Sequence, residues 1–168
     1  GAQLYPQVSS RPIGLASGLS GYHAFQRRPT YMKLAHLPLA ERAREMAKPE
    51  IKAAIMSETD VLVDQPGSMA NMYQLFQTAA MFLYPLADPV DYEPDPSEML
   101  GSRAAASGQD VLDLLYDYLL EQDGAAMCAL MGGPNVHDSQ EVLRQMLIHP
   151  ETVTGLSDAG AHVTLICD

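Results

Sequence analysis

The residues best placed to do chemistry follow the last apolar segment, in the sequence SDAGAH. Asp158 comes two residues after Leu156, the final apolar position of a predicted strand. A carboxylate at the carboxyl end of a parallel strand can act as a general base or bind a metal-activated water. The alternative is that Asp158 caps a following helix or turn. Its neighbours are small, which lets a substrate or metal approach closely: Ser157, Ala159, Gly160 and Ala161.

The histidines are candidates of unequal weight. His162 lies four residues after Asp158 and could support that carboxylate or bind substrate, or it could be a loop histidine bonded to backbone. His137, in the loop GGPNVHD, follows another apolar run and is a weaker candidate. The remaining histidines lie in predicted loops or near helix ends and are interpreted as structural: His23, His36 and His149.

Two apolar runs and one amphipathic segment would position Asp158. Residues 125–131 (AAMCALM) and 152–156 (TVTGL) have the length and composition of buried parallel strands. Between them, Asp138 and Glu141 form a capping-box pattern that predicts a helix, which His149 and Pro150 end. A strand, a helix and a strand joined by short loops predict a βαβ unit and therefore a parallel sheet or barrel.

The rest of the chain is predicted to be mostly helical. Residues 3–15 have a strand-like pattern, and the Gly- and Ser-rich residues 17–31 are predicted to be a loop. The Met- and aromatic-rich residues 69–86 are expected to pack in the core. A proline-rich acidic segment, LADPVDYEPDPSEM, is predicted to be a surface loop. Helices are predicted over residues 37–58, divided at Pro49, and over residues 97–107 and 110–122.

Composition and charge exclude several classes of partner. The net charge is −11 with ten basic residues spread along the chain, which argues against nucleic acid and anionic membranes. No apolar run reaches the roughly 18 to 20 residues that span a bilayer, and no signal peptide is visible. Cys128 and Cys167 are expected to be buried free thiols, which favours a reducing, cytoplasmic compartment. Because the sequence begins at Gly1, we expect a piece of a longer protein.

Several catalytic motifs are missing from the sequence. It contains no H-x-H, H-E-x-x-H or paired C-x-x-C metal motif, no Walker loop and no G-x-S-x-G elbow. The sequence by itself therefore shows no complete metal site or catalytic triad.

Nearly the whole chain resembles, segment by segment, one branch of the amidohydrolase superfamily: the N-acyl-D-amino-acid deacylase (D-aminoacylase)-like enzymes. The most specific motif is SDAGAH after a strand, within TVTGLSDAGAHVTLICD. The other segments that carry the resemblance are QLYPQVSSRPIGL, AHLPLAERAREMAKPEIKAAIMSE, YPLADPVDYEPDPSEML and DLLYDYLLEQDGAAMCALMGG.

The resemblance implies a (β/α)8 barrel with one or two divalent ions, usually zinc, at its C-terminal face. In this family a metal-activated water attacks an amide carbonyl, and an aspartate after strand 8 takes the water's proton and passes it to the leaving amine. Asp158 matches that aspartate, which can also contact the metal. Ser157, Gly160 and His162 are the implied substrate-binding residues. Residues 1–20 would hold strand 6, residues 21–122 a helical insertion, and residues 123–168 strand 7, a helix and strand 8.

On this basis we expect an α/β chain that is a fragment of a metal-dependent hydrolase (TIM) barrel, mostly helical with two or three parallel strands. The family's H-x-H on strand 1 and its ligands on strands 4 to 6 have no counterpart here. Zinc would therefore be bound in the parent protein and not by this fragment. Three strands leave unpaired edges, so we expect association with the missing remainder of the barrel, or with copies of the chain by oligomerisation or swapping. We also expect no activity from the fragment alone.

Three functions are compatible with the sequence. The favoured one is hydrolysis of a linear amide in a small molecule, an N-acyl-D-amino acid, to a D-amino acid and a carboxylate. The second is an amidohydrolase acting on a cyclic amide or a deamination substrate. The third is a noncatalytic helical interaction fragment that exposes the Met-rich residues 69–86. Arg11, Arg27 and Arg28 could bind a substrate carboxylate, although surface arginines are commoner.

Overall fold

Seven α-helices and five strands make up the part of the chain that the computed structural model describes, residues 4–10, 13–65, 68–132 and 139–155. The helices are α1 (Pro29–Leu34), α2 (Leu39–Met46), α3 (Pro49–Ser57), α4 (Tyr73–Thr78), α5 (Leu100–Ser107), α6 (Val111–Leu119) and α7 (Glu141–Ile148). The strands are β1 (Gln7–Val8), β2 (Ile13–Gly18), β3 (Leu83–Pro85), β4 (Met127–Gly132) and β5 (Val153–Thr154). The chain is thus a mixed α/β structure with small sheets.

Local end signals set most of the helix boundaries. Pro49 separates α2 from α3 and occupies the start of α3, where its missing N–H costs no hydrogen bond. The Asp110 carboxylate caps α6 by accepting bonds from the N–H groups of Leu112 (2.9 Å) and Asp113 (3.2 Å). Gly108 ends α5 in the left-handed conformation, at φ 71°. These helices confirm the sequence prediction to within a few residues.

The predicted loop over residues 17–31 is only partly a loop. Strand β2 runs through to Gly18, and α1 begins at Pro29. Small residues suit β2 because it lies very close to β4: a Cβ on Gly18 would be 2.9 Å from the Cγ of Met127. A Gly- and Ser-rich composition therefore marks close strand packing here, and the prediction of a loop was wrong for these residues.

The strand partners differ from those predicted. Strands β2, β4 and β3 form an antiparallel sheet in the order β2-β4-β3, whereas β1 and β5 form a separate parallel pair. The predicted βαβ unit therefore does not form one sheet, since β4 and β5 lie in different sheets. An apolar run indicates that a strand is buried, but the direction of its neighbours depends on distant segments. The described strands do not close into a barrel.

The helices cover one face of the antiparallel sheet. Tyr116 of α6 is fully buried, and its hydroxyl donates to the Met46 carbonyl at the end of α2 (2.9 Å). Tyr118 of the same helix donates to the Met127 carbonyl of β4 (3.0 Å). The largest fully buried apolar side chains around them are Leu19, Phe25, Met46, Ile55, Phe76, Leu83, Leu100, Leu115 and Leu119.

The Met- and aromatic-rich residues 69–86 contribute chiefly to this core. Tyr73, Phe76 and Leu83 are fully buried, while Met81 and Phe82 are about half exposed. The prediction of core packing is confirmed for these buried residues. Among the residues of this stretch whose burial the structure describes, Met81 and Phe82 are the large apolar side chains that a partner could reach.

The structure bears on the predicted state of the cysteine thiols and on the prediction that no segment spans a membrane. Cys128 is a buried free thiol, as expected, and burial raises its pKa to about 12, so it stays protonated and unreactive. Cys167 lies outside the described residues. None of the helices in the described ranges is both long and apolar enough to cross a lipid bilayer.

Candidate functional site

The residues that the sequence singled out for catalysis lie outside the described residues. These are Asp158, Ser157, Gly160 and His162, together with the weaker candidate His137. The structure does describe the strands that lead to them, because β5 ends at Thr154 and β4 ends at Gly132. The strand ends and the groups around them are the described part of this region.

Strands β1 and β5 run parallel and in register. Gln7 pairs with Val153 and Val8 with Thr154. The Gly155 N–H donates to the Val8 carbonyl over 2.7 Å, which extends the pairing by one residue. The carboxyl ends of both strands therefore meet at one edge, and in open α/β sheets and barrels this is the edge where ligands bind.

A polar cleft of about 500 Å³ borders that edge, and we call it the strand-end cleft. It lies between the segment after β1, the acidic loop and the first turns of α7. Its lining residues are Ser10, Glu93, Ser139, Gln140, Glu141, Leu143, Arg144 and Leu147. The cleft has the size of an ordinary small-molecule site.

Charged groups at the start of α7 organise the strand-end cleft. The Glu93 carboxylate accepts a bond from the Gln140 N–H over 2.7 Å, at the end of α7 that carries partial positive charge. Arg144 donates two bonds of 2.7 Å to Glu141, and this pairing lowers the pKa of Glu141 to about 2. Glu141 and Arg144 are therefore both ionised at neutral pH, and this ion pair can orient polar groups of a ligand in the cleft.

Glu93 is a site residue that sequence reasoning missed. It belongs to the proline-rich acidic loop, and its contact with Gln140 spans 47 residues. No local pattern predicts such a contact, since a surface loop rich in acids and prolines is common. The loop sequence around Val90 and Glu93 also has no helical or strand periodicity that would show which way Glu93 points.

The arginines named as possible binders of a substrate carboxylate make structural contacts where they are described. The Nε of Arg28 lies 3.0 Å from an Asp60 carboxylate oxygen, with both side chains mostly buried. Gln77 donates to the other oxygen of Asp60 (3.0 Å). Arg27 donates through Nε to the Val61 carbonyl over 2.7 Å. Both arginines thus fix residues 60–61 to the segment before α1, and Arg11 lies outside the described residues.

His23 is structural, in agreement with the sequence interpretation. It is fully buried, and its Nδ1 accepts a bond from the Phe25 N–H over 3.2 Å, so the ring proton is on Nε2. Its ring lies edge-on to Tyr31 with the centroids 4.5 Å apart, and Arg42 donates to the Tyr31 hydroxyl. Burial, and then the charge of Arg42, lowers the pKa of His23 to about 3. The ring is therefore neutral at physiological pH.

We predict that His23 makes the fold sensitive to acid. The unfolded chain binds a proton at this side chain below about pH 6.5, whereas the folded chain does so only below about pH 3. Stability should therefore fall as the pH drops through this window, by about 1.4 kcal/mol per pH unit. His23→Asn keeps an acceptor for the Phe25 N–H but does not titrate.

Urea unfolding at pH 7 and pH 5 provides the measurement for His23. The wild type should lose about 2 kcal/mol more between these pH values than His23→Asn does. His36 is exposed, so His36→Asn should match the wild type. Equal pH dependence in wild type and His23→Asn would contradict the role of this side chain.

The described residues do not fit the divalent metal that the sequence resemblance implies. Within residues 4–10, 13–65, 68–132 and 139–155, no group of three or more His, Cys, Asp or Glu side chains could hold an ion. Zinc sites in proteins use three or four such ligands. A zinc ion of the kind expected would have to be held by residues outside these ranges.

No family model, curated protein or solved structure matches this chain. The likeness to the amidohydrolase superfamily therefore remains a hypothesis based on the sequence segments given above.

Proposed function

We propose that this chain is part of the catalytic barrel of an amidohydrolase that hydrolyses the linear amide bond of N-acyl-D-amino acids. The observation that supports it most is that β1 and β5, assigned to strands 6 and 8, run parallel and in register, although a barrel would place strand 7 between them. This pairing brings the carboxyl ends of the two strands together beside the strand-end cleft. The segment GLSDAGAH begins at Gly155, so Asp158 comes four residues after the end of β5 in the sequence. Barrel enzymes carry catalytic groups on residues that follow the strands.

Asp158 is the catalytic residue of the proposed reaction. Its carboxylate takes a proton from a water molecule whose oxygen attacks the amide carbonyl carbon. The proton then passes to the nitrogen as the carbon–nitrogen bond breaks, which gives a carboxylate and a free D-amino acid. A zinc ion, which residues outside the described ranges would have to hold, would lower the pKa of that water.

The surface around β1 and β5 supports the presence of further barrel strands. Parallel strands are normally covered on both faces, yet Val153 of β5 is 43% exposed and Ile148 at the end of α7 is 65% exposed. Leu4 and Tyr5, just before β1, are 81% and 51% exposed. We assign this apolar surface to contact with the remaining strands and helices of the barrel, without which the chain is inactive. The proposed enzyme works in the cytoplasm.

The proposal is tested with the intact barrel, loaded with zinc, and a panel of N-acetyl-D-amino acids, by measuring release of the free amine. The matched L-enantiomers and a set of cyclic amides serve as controls. We expect turnover of the D-compounds and little of the others. Hydrolysis of the cyclic amides alone would transfer the assignment to a different amidohydrolase reaction, and no hydrolysis of any amide would remove it.

A further inference from the structure

Residues 61–63 are held as an extended segment at the surface, and we call them the edge segment. Val61 donates its N–H to the Arg27 carbonyl over 2.9 Å, and its own carbonyl accepts a bond from the Nε of Arg27 over 2.7 Å. The Asn71 side chain bonds both the N–H (3.3 Å) and the carbonyl (3.1 Å) of Val63. Bonds to both polar groups of every second residue are the pattern that one edge of a β-strand makes with its neighbour.

The two residues that hold the edge segment lie on the same side of it. Gln26, next to Arg27, donates to the carbonyl of Ala70, next to Asn71, over 3.5 Å. Leu62 lies between the two bonded positions, so its N–H and carbonyl point away from that side, and no described residue bonds to them. The outer edge therefore offers a donor and an acceptor to a partner, as the edge strand of a sheet does.

An ion pair and a hydrogen bond fix the start of the edge segment. Asp60, directly before it, lies 3.0 Å from the Nε of Arg28, and both side chains are mostly buried. Asp60 also accepts a bond from Gln77 over 3.0 Å. The segment is therefore held in its extended conformation before a partner arrives, so binding costs little ordering of the backbone.

The outer edge is apolar and is followed by an acid. The Val61 and Leu62 side chains are 43% and 61% exposed, and Asp64, directly after the edge segment, is exposed as well. The two nearby arginines point elsewhere, because Arg27 lies on the inner side and Arg28 pairs with the residue before the segment. A partner that covers this edge therefore meets apolar surface beside a negative charge.

A second copy of the chain is a poor partner for this edge. Antiparallel pairing of two edge segments about Leu62 brings Asp64 of one copy beside Asp60 of the other, and like charges opposite each other destabilise a pair of strands. The chain as a whole carries a net charge of −11, so it attracts positively charged partners over longer distances. Charge complementarity therefore favours an extended segment that carries lysine or arginine.

We propose that the edge segment binds an extended stretch of a basic partner protein, which adds a strand to this edge. The partner's main chain bonds to the N–H and carbonyl of Leu62, which provides affinity through groups that every sequence has. An apolar side chain of the partner covers Val61 or Leu62, and a neighbouring lysine or arginine pairs with Asp64, which provides specificity. This interaction does not depend on the proposed hydrolysis.

The test uses the intact protein and a blocked heptapeptide of alternating lysine and valine. A glutamate–valine peptide of the same length tests the charge, and a lysine–valine peptide that is N-methylated along one edge lacks the main-chain donors. Peptide binding is measured by fluorescence anisotropy. Hydrogen exchange at the Leu62 amide is measured by NMR on protein labelled with ¹⁵N-leucine.

Four variants distinguish main-chain pairing from general attraction to an acidic surface. Leu62→Pro removes the outward N–H without breaking a hydrogen bond between described residues, whereas Leu62→Ala keeps that N–H. Asp64→Lys reverses the charge beside the edge, and Glu98→Lys makes the same kind of change at another exposed acid. Thermal unfolding checks that each variant is folded.

We expect the lysine–valine peptide to slow exchange at Leu62 by about tenfold or more. Leu62→Pro and Asp64→Lys should each weaken peptide binding by about tenfold or more. Leu62→Ala should weaken it less than Leu62→Pro, and Glu98→Lys should leave it within about twofold. No peptide binding, or equal binding of the N-methylated peptide or by the Leu62→Pro variant, overturns the proposal. Protection of Leu62 that rises with protein concentration in the absence of peptide also overturns it, in favour of a second copy.

Discussion

Replacing Asp158 with Asn in the intact barrel is expected to lower kcat/KM for N-acetyl-D-amino acids by on the order of a thousandfold. The amide of Asn has nearly the shape of the carboxylate but cannot take a proton from the attacking water. The loss should fall on kcat rather than KM, since the carboxylate acts on the water in the transition state. Steady-state kinetics with the substrates of the panel measure both constants.

A matched control distinguishes loss of the catalytic carboxylate from the general effect of removing one negative charge. Asp64→Asn makes the same change at an exposed position of the described structure and should leave kcat/KM within twofold of wild type. Both variants should unfold at the wild-type temperature. If Asp158→Asn retains nearly full activity, the aspartate after strand 8 is not the proton shuttle, even where the barrel hydrolyses the amides.

Signals that act over one helical turn were the most informative part of the sequence. The start of α6 is set by Asp110, which caps N–H groups two and three residues away. The start of α3 is set by Pro49. Both effects depend only on neighbouring residues. The same holds for the end of α7, where His149 has an extended backbone directly before Pro150. A capping residue or a proline acts on the backbone within a few positions, so its effect can be predicted without knowing the fold.

Strand pairing depends on contacts that no local pattern encodes. The apolar run at β4 correctly predicted a strand, but its partners were not predicted. Strand β2 runs from the strand-like residues 3–15 into the predicted loop, and β3 lies in the stretch that was expected only to pack in the core. The pairing of Gln7 with Val153 joins residues far apart in the chain. Its parallel direction was expected, but its direct partner was not, because strand 7 was placed between strands 6 and 8.

The candidate site also combines features that local sequence predicts with features that depend on long-range contacts. The sequence pointed to the strand ends through the motif SDAGAH, whereas the strand-end cleft comes from the fold. Glu93 belongs to no distinctive motif, and it lines the cleft because its carboxylate meets the distant Gln140. A catalytic role that depends on one residue type can be proposed from the sequence. The residues that line a cleft cannot, because they come from segments that are distant in the chain.

Tyr116→Ala is expected to cost the largest share of stability among substitutions in the described core. The side chain is fully buried, and its ring meets Phe25 edge-on with the centroids 5.2 Å apart. Its hydroxyl also satisfies the Met46 carbonyl at the end of α2, one of the groups that a helix cannot pair internally. Removing a buried aromatic ring leaves a cavity and costs about 3 to 5 kcal/mol, against a typical total of about 5 to 15 kcal/mol.

Tyr116→Phe distinguishes the contribution of the ring to stability from the contribution of the hydroxyl hydrogen bond. It keeps the packing on Phe25 and leaves only the Met46 carbonyl without its donor, so it should cost about 1 to 2 kcal/mol. Urea unfolding measures both variants, with Leu62→Ala as a control because Leu62 is 61% exposed. If Tyr116→Phe were as damaging as Tyr116→Ala, the hydrogen bond between α6 and α2 would dominate. If both were near neutral, α6 would not be a central element of this core, because a fully buried ring cannot be removed from a packed interior without loss of contacts.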